Sequence, residues 1–296
     1  MKYTKMKRTI LCTLMLCLCA PAWIQAQWGG PQSKVENKAI HSNVLNAERQ
    51  YTIYLPKSYE VEKDRKYPVL YLLHGMSGVN TSWFENERAK DVMDVLVASG
   101  EACEMIIVSP NAGGEVSKDW NGYFDMPGWS YETFFFEEFL PHIESTYRVI
   151  GDKQHRAIAG LSMGGGGTTG YAQRHSDMFC AAYAMSALMT IPGIGAHPSQ
   201  NPEDKLAILT RSVIEHSCVD YVAKATEEQK SQLRTVAWFV DCGDDDFLLD
   251  TNIDFTREMR KAGIPCEFRV RDGGHTSEYW HTALYYCLPF VTRNFK

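Results

Sequence analysis

The stretch Ala159-Gly160-Leu161-Ser162-Met163-Gly164-Gly165-Gly166-Gly167-Thr168-Thr169-Gly170 sets one serine among small residues and follows it with four consecutive glycines. Inside a helix each glycine costs about 1 kcal/mol relative to alanine, so a run of four needs a geometric reason. Residues 156–159 read as a short buried strand and 164–175 as a helix. A G-x-S-x-G pattern between strand and helix is a nucleophile elbow: the serine occupies a strained turn, and Gly160 and Gly164 have no side chains where strand and helix approach closely. The helix start adds backbone N–H groups and a positive dipole end that suit a developing oxyanion. The competing reading is a glycine-rich packing turn whose serine does no chemistry. Gly165 is expected to help the helix pack on the sheet, whereas Gly166 and Gly167 exceed what the elbow requires.

Outward from this point, apolar runs alternate with amphipathic stretches. Residues 51–55, 69–73, 105–108, 156–159, 181–185, 236–241 and 267–270 are short and rich in Val, Ile, Tyr or Phe, as buried strands are. Helical patterns lie at 87–97, 131–147, 164–175, 252–262 and 279–294, with Pro141 expected to kink or divide the second of them. Strands alternating with helices predict an α/β fold with a mostly parallel central sheet covered on both faces. One interval, 186–235, is longer than a simple crossover needs. It reads as an insertion over the carboxyl edge of the sheet, within a single domain spanning 27–296.

A serine hydroxyl needs a base, and the elbow fold supplies acid and base later in the chain, in the order Ser, Asp, His. The strand at 236–241 runs into Cys242-Gly243-Asp244-Asp245-Asp246, and the strand at 267–270 into Gly273-Gly274-His275. Of nine histidines, His275 alone follows a late strand directly. His281 falls within the last helix, His155 at the wrong end of the sheet, and His142 and His175 on helices. Any of the three aspartates can orient the imidazole, the others serving as turn residues. The strand at 69–73 ends in His74-Gly75-Met76-Ser77-Gly78, a loop that offers the N–H of Met76 as an oxyanion donor beside that of Met163. His74 is expected to hold this loop by hydrogen bonding.

The N-terminus carries a different signal. Lys2, Lys5, Lys7 and Arg8 precede eleven apolar residues, 10–20, and Trp23-Ile24-Gln25-Ala26 offers a cleavage site, so 1–26 read as a secretory signal peptide. Eleven apolar residues are too few to span a bilayer, and Leu18 before Cys19 does not suit a lipid anchor. Removing the leader takes the formal charge from −6 to −10. An acidic chain without basic clusters argues against nucleic acid or anionic membrane as partner. The cysteines beyond the leader form no CxxC pair, which argues against zinc, and Cys180, Cys242, Cys266 and Cys287 sit in apolar segments where burial explains them.

Together, "YPVLYLLHGMSG", "FFFEEFLPHIESTYRV", "RAIAGLSMGG", "DCGDDDFLLDTN" and "GGHTSEYW", in order from about residue 51 to the C-terminus, make the chain resemble the esterase D-like α/β-hydrolases. Within that branch it is similar to the feruloyl and acetyl-xylan esterases of carbohydrate esterase family one. The resemblance implies Ser162, Asp246 (the last residue of G-x-x-D) and His275 as catalytic residues, and no metal or organic cofactor. It also implies an acylated polysaccharide or oligosaccharide as substrate. Asp119-Trp120-Asn121-Gly122-Tyr123 resembles the family's tryptophan loop, so Trp120 and Trp280 are candidates to line a sugar or aryl site, with packing an equal alternative. The expected activity is that of an exported serine esterase releasing acetate or a hydroxycinnamate. Related chemistries are acyl transfer, as in the mycolyltransferases, and S-formylglutathione hydrolysis; a non-catalytic binding module would be expected to lack one of the three residues.

Overall fold

The computed structural model of the chain describes residues 30–113, 120–191, 201 and 203–296, and the expected leader at 1–26 lies outside them. In chain order the elements are β1 (Lys34–Ser42), β2 (Ala47–Leu55), β3 (Val69–Leu73), α1 (Ser82–Glu85), α2 (Ala89–Ser99), β4 (Ile106–Pro110), β5 (Asp125–Met126), β6 (Trp129–Ser130) and α3 (Tyr131–Phe134). They continue with α4 (Leu140–Thr146), β7 (Arg156–Leu161), α5 (Met163–Arg174), β8 (Ala181–Met185), α6 (Lys205–Glu215), α7 (Cys218–Ala223) and α8 (Glu227–Leu233). The last are β9 (Ala237–Gly243), α9 (Leu249–Lys261), β10 (Glu267–Arg271) and α10 (Ser277–Asn294).

Eight strands form one sheet in the order β1-β2-β4-β3-β7-β8-β9-β10, and β5 and β6 make a separate two-stranded hairpin. From β4 to β10 the neighbours run parallel, while β2 lies antiparallel to both β1 and β4. Side chains alternate along each strand, so consecutive residues enter different layers. Tyr71, Leu73, Val108, Ile158 and Val240 join one core with Phe134, Ile143, Tyr171, Val213, Cys218 and Phe255. Leu70, Leu72, Ile107, Ala159 and Tyr183 join the other with Trp83, Val92, Met93 and Leu288. Burial on both faces is why the inner strands read as unbroken apolar runs.

The structure adds one strand to the expected elements, divides the 131–147 helix as Pro141 suggests, and corrects the start of another helix. β1 escaped the sequence reading because KVENKAIHS is polar and largely exposed; it is an edge strand held by β2. The pattern at 131–147 is three pieces: α3, a wide π turn at Phe135–Phe139, and α4, with Pro141 in the first turn of α4. Proline donates no N–H and its ring crowds the carbonyl four residues earlier, which a widened turn accommodates. The helix expected at 87–97 begins instead at Ala89, because Arg88 takes the left-handed conformation (φ 56°). Glu87 therefore lies in the turn between α1 and α2 and not on a helix.

Within 186–235, the described helices α6, α7 and α8 bring Ile208, Val213, Cys218, Val222 and Leu233 into the same core as Tyr171 of α5 and Phe255 of α9. This interval thus extends the core over α5. Cys180, Cys218, Cys242 and Cys287 are buried free thiols, and Cys103 and Cys266 are partly buried free thiols.

Candidate active site

The parallel register brings the carboxyl ends of five strands to one edge: Leu73 pairs with Gly160, Leu161 with Met185, Met185 with Asp241, and Gly243 with Arg271. Ser162 sits there with φ 54° and ψ −119°, a conformation that costs an L-residue of order 1–3 kcal/mol. Backbone bonds hold it in place. Its N–H donates to the Met185 carbonyl at 2.9 Å, and its own carbonyl accepts from the N–H groups of Leu188 (2.9 Å) and Gly166 (3.1 Å).

The glycines now each have a reason. A Cβ on Gly160 would lie 2.4 Å from the Gly164 carbonyl oxygen, and one on Gly164 would lie 2.3 Å from that of Leu73, so strand and helix touch backbone to backbone. Gly166 meets the Leu188 carbonyl oxygen at 2.3 Å and Gly167 the Tyr123 ring at 2.8 Å in the same sense. The two surplus glycines are therefore explained by close packing: α5 is pressed by the loop after β8 and by Tyr123.

His275 Nε2 stands 2.9 Å from Ser162 Oγ, and its Nδ1 stands 2.9 and 3.1 Å from the two oxygens of Asp246. A carboxylate only accepts, so Nδ1 carries the hydrogen and Nε2 is left to accept from the serine hydroxyl. Burial pushes the Asp246 carboxyl up, but hydrogen bonds from His275, the Leu248 N–H and Ser186 outweigh it and hold the group below its ordinary value. The Leu248 N–H reaches Asp246 Oδ1 at 2.9 Å.

The neighbouring aspartates do other things. Asp244 Oδ1 accepts from the Gly273 N–H at 3.0 Å, tying the loop after β9 to the one after β10. Asp245 is an exposed turn residue whose N–H donates to the Gly273 carbonyl at 3.1 Å. Asp241, fully buried in β9, accepts from Tyr183 (2.7 Å), Tyr279 (2.6 Å) and Arg269. That network locks β8, β9, β10 and the start of α10 around the loop bearing His275.

His74 is buried, with Nδ1 2.7 Å from the Gly75 carbonyl oxygen and Nε2 accepting from the Ala112 N–H at 2.9 Å. Burial pushes its pKa down to about 4, so it is a neutral clamp on the loop that carries Met76. Met163 buries its side chain in the core, and as the first residue of α5 its N–H has no acceptor one turn earlier. Trp280 donates from Nε1 to Ser186 Oγ at 3.1 Å and stands edge-on to His275, ring centres 4.9 Å apart. Trp120 lies elsewhere, against Gly128 and beneath the Lys205 amine, and is not among the residues lining the cavity beside Ser162. His281 Nδ1 donates to the Glu87 carbonyl oxygen at 2.8 Å, which ties α10 to the turn before α2. His142 bonds Tyr51, His155 bonds Asp152, and His175 stacks on Phe136.

A cavity of about 340 Å³ opens beside Ser162 and His275. Met76, Trp83, Leu161, Leu188, Phe247 and Trp280 give it a mainly apolar wall, and Asn86, Glu87 and Ser277 add polar groups. Among the described residues of 186–235, only Leu188 contributes to it. Phe247 was not anticipated: 76 % exposed, it lies 4.6 Å from the His275 ring. Its signal in the sequence is a bare aromatic directly after three aspartates. Glu87 is 3 % exposed; Ser277 Oγ donates to its Oε1 at 2.9 Å, while Oε2 is buried with no hydrogen-bond partner among the described residues. Burial pushes its carboxyl up to about 7, against the hydrogen bond from Ser277.

Comparison with known proteins agrees with this architecture. The Esterase family model matches residues 42–291. A ferulic acid esterase of known structure is 69 % identical, with a TM-score of 0.88 covering 90 % of this chain and all of that one. The endo-1,4-beta-xylanase/feruloyl esterase of Xylanibacter ruminicola is 34 % identical over 134 residues, which are 43 % of this chain and only 18 % of that longer protein. An acetyl esterase of Caldicellulosiruptor saccharolyticus is 24 % identical over 225 residues, 72 % of this chain and 78 % of its own. With its mostly parallel sheet, its helices on both faces and a serine turn at the carboxyl edge, the chain belongs to the esterase family of α/β-hydrolases.

Proposed function

We propose that the chain is an exported serine carboxylic-ester hydrolase that removes feruloyl groups from xylan-type polysaccharide or oligosaccharide through an acyl-enzyme on Ser162. The observation that carries this reading is the continuous hydrogen-bonded line from Ser162 Oγ through His275 to Asp246, ending at an apolar cavity. His275 Nε2 takes the hydroxyl proton as Oγ attacks the ester carbonyl, and Asp246 stabilises the imidazolium that forms. The N–H groups of Met163 and Met76 receive the oxyanion. His275 then returns the proton to the departing sugar hydroxyl, and water, activated by the same imidazole, releases the acid.

The cavity favours an aryl acyl group over acetate. At about 340 Å³ it is at the lower end of small-ligand pockets, about 300–1,000 Å³, a size that an acetyl group would leave mostly unfilled. The 69 % identical ferulic acid esterase supports the same choice. The basic leader and apolar run before residue 27 support export, and no helix among the described residues is long and apolar enough to cross a membrane.

The purified chain, begun at Gln27, tests the reading on methyl ferulate and on acetylated xylan, with liberated acid measured. Faster release of ferulate is expected. Ser162→Ala should lower ester hydrolysis by about 10³-fold or more in a folded protein, and retained activity would sink the mechanism. Acetate as the preferred product would move the assignment to an acetyl esterase, and transfer of the acyl group to an added sugar at the expense of hydrolysis would make it an acyltransferase. Recovery of the protein outside the cytoplasm with Gln27 at its N-terminus checks export.

A further inference from the structure

Phe247 takes no part in holding the fold together. It follows Asp246 directly, in the loop between β9 and α9, and at 76 % exposed it is the barest large apolar side chain among the described residues. It joins neither core layer. Single apolar residues on a surface are ordinary, but this one lines the cavity beside Ser162, with its ring centre 4.6 Å from that of His275 and tilted 46° to it. The backbone fixes it there. The Asp246 N–H donates to the Gly243 carbonyl at 3.3 Å, the Leu248 N–H to Asp246 Oδ1 at 2.9 Å, and the Leu249 N–H to the Asp246 carbonyl at 2.9 Å. Both neighbours of Phe247 thus serve the catalytic acid, and the turn that sets Asp246 against His275 also sets the phenyl ring beside the imidazole.

An ester divides at Ser162 into two halves. The acyl half has a cavity of about 340 Å³ whose wall includes the buried Trp83 and Leu161, whereas a polysaccharide chain is too large to be enclosed and stays outside. Its leaving oxygen must come within hydrogen-bond reach of His275 Nε2, which returns the proton to it. The sugar that bears this oxygen is therefore brought beside His275 on the open side, where the exposed ring of Phe247 stands. A sugar ring has a face of C–H groups, and a bare phenyl offers a flat apolar surface that covers that face and releases water from both. We propose that Phe247 is a specificity-determining residue for the alcohol half of the ester: it stacks on the first sugar ring of the leaving oligosaccharide, so that sugar esters are selected over esters of small alcohols. The inference rests on the feruloyl-esterase reading above and deepens it.

The test holds the acyl group constant and changes the alcohol. Methyl ferulate and a feruloylated oligosaccharide released from xylan are compared by kcat/KM in the wild type, Phe247→Ala and Phe247→Trp, and the ratio within each protein cancels any general loss of activity. The wild type should prefer the oligosaccharide ester by about tenfold or more. Phe247→Ala should bring the two esters within about threefold of each other, and Phe247→Trp, which keeps a flat apolar face, should retain most of the preference. A side chain so exposed can be exchanged with little effect on folding, and should the alanine variant fail to fold, the wild-type ratio and Phe247→Trp still decide. Equal rates on the two esters in the wild type, an unchanged ratio in Phe247→Ala, or a ratio lost as fully in Phe247→Trp each overturn the role of Phe247 while leaving the esterase reading intact. An unchanged ratio with both rates lowered would place the ring on the acyl half instead. A wild type that cleaves 4-nitrophenyl acetate but neither ferulate ester overturns the feruloyl reading and this inference with it.

Discussion

Two buried carboxyl groups belong to this site, and the molecule treats them in opposite ways. Asp246, in the loop after β9, meets His275 with both oxygens and the Leu248 N–H with one, and its pKa is held low despite burial. Glu87, in the turn before α2, has one hydroxyl for one oxygen and, among the described residues, no partner for the other, and burial pushes it up to about 7. Burial by itself therefore does not decide ionisation; the number of donors supplied with it does. A carboxylate saturated with donors is committed to staying charged, which suits a group that must stabilise an imidazolium. One left short of donors takes up its proton more readily.

The contrast can be broken most severely at Asp246. Asp246→Asn keeps the shape but can favour the wrong imidazole tautomer, so kcat for ester hydrolysis should fall by about 10³- to 10⁴-fold; wild-type rates in that variant would show that another group orients His275. A smaller effect is expected at Glu87, read as stability. The ordinary carboxyl value is 4.5 and the folded value about 7, so the folded state holds this proton more tightly than the unfolded state. That favours folding at low pH and the advantage disappears as pH rises from about 4.5 to 7. Denaturant unfolding should show the wild type losing up to about 3 kcal/mol relative to Glu87→Gln over that window, and parallel pH profiles would contradict it. The smallest change belongs to Asp244, which joins loops but touches no reacting group. Asp244→Ala should cost about 1 kcal/mol of stability and leave hydrolysis within about tenfold of wild type; a loss as deep as that of Asp246→Asn would mean the two aspartates have been assigned the wrong way round.

Much of this arrangement was legible in the chain. The inner strands announced themselves because both faces are buried, and the serine turn because only glycine permits that approach of strand and helix. His275 followed from its place after a late strand. Asp246 was singled out by the resemblance alone, as the last residue of G-x-x-D: three adjacent aspartates have the same chemistry, and the path of the turn, which aims Asp244 at Gly273 and Asp246 at His275, is what separates them. Residue propensity offers no warning that Arg88 leaves the helical region, so Glu87 was assigned to a helix it does not belong to. Edge strand β1 went unseen because it buries too little to show an apolar pattern. The reading of Trp120 followed loop resemblance, whereas its ring is occupied by Gly128 and Lys205.

The glycine run of α5 has a consequence for how such a protein can change over time. Gly160, Gly164, Gly166 and Gly167 each face an atom that a single methyl group would strike, three of them backbone carbonyl oxygens. Backbone contacts have no rotamers with which to yield, so this side of the site offers almost no neutral substitutions. Around the cavity, Met76, Glu87, Leu188 and Phe247 are side chains on turns and loops, where contacts are made by side chains that can shift. New acyl preferences can therefore arise by drift in the cavity wall while the packing behind the serine stays frozen.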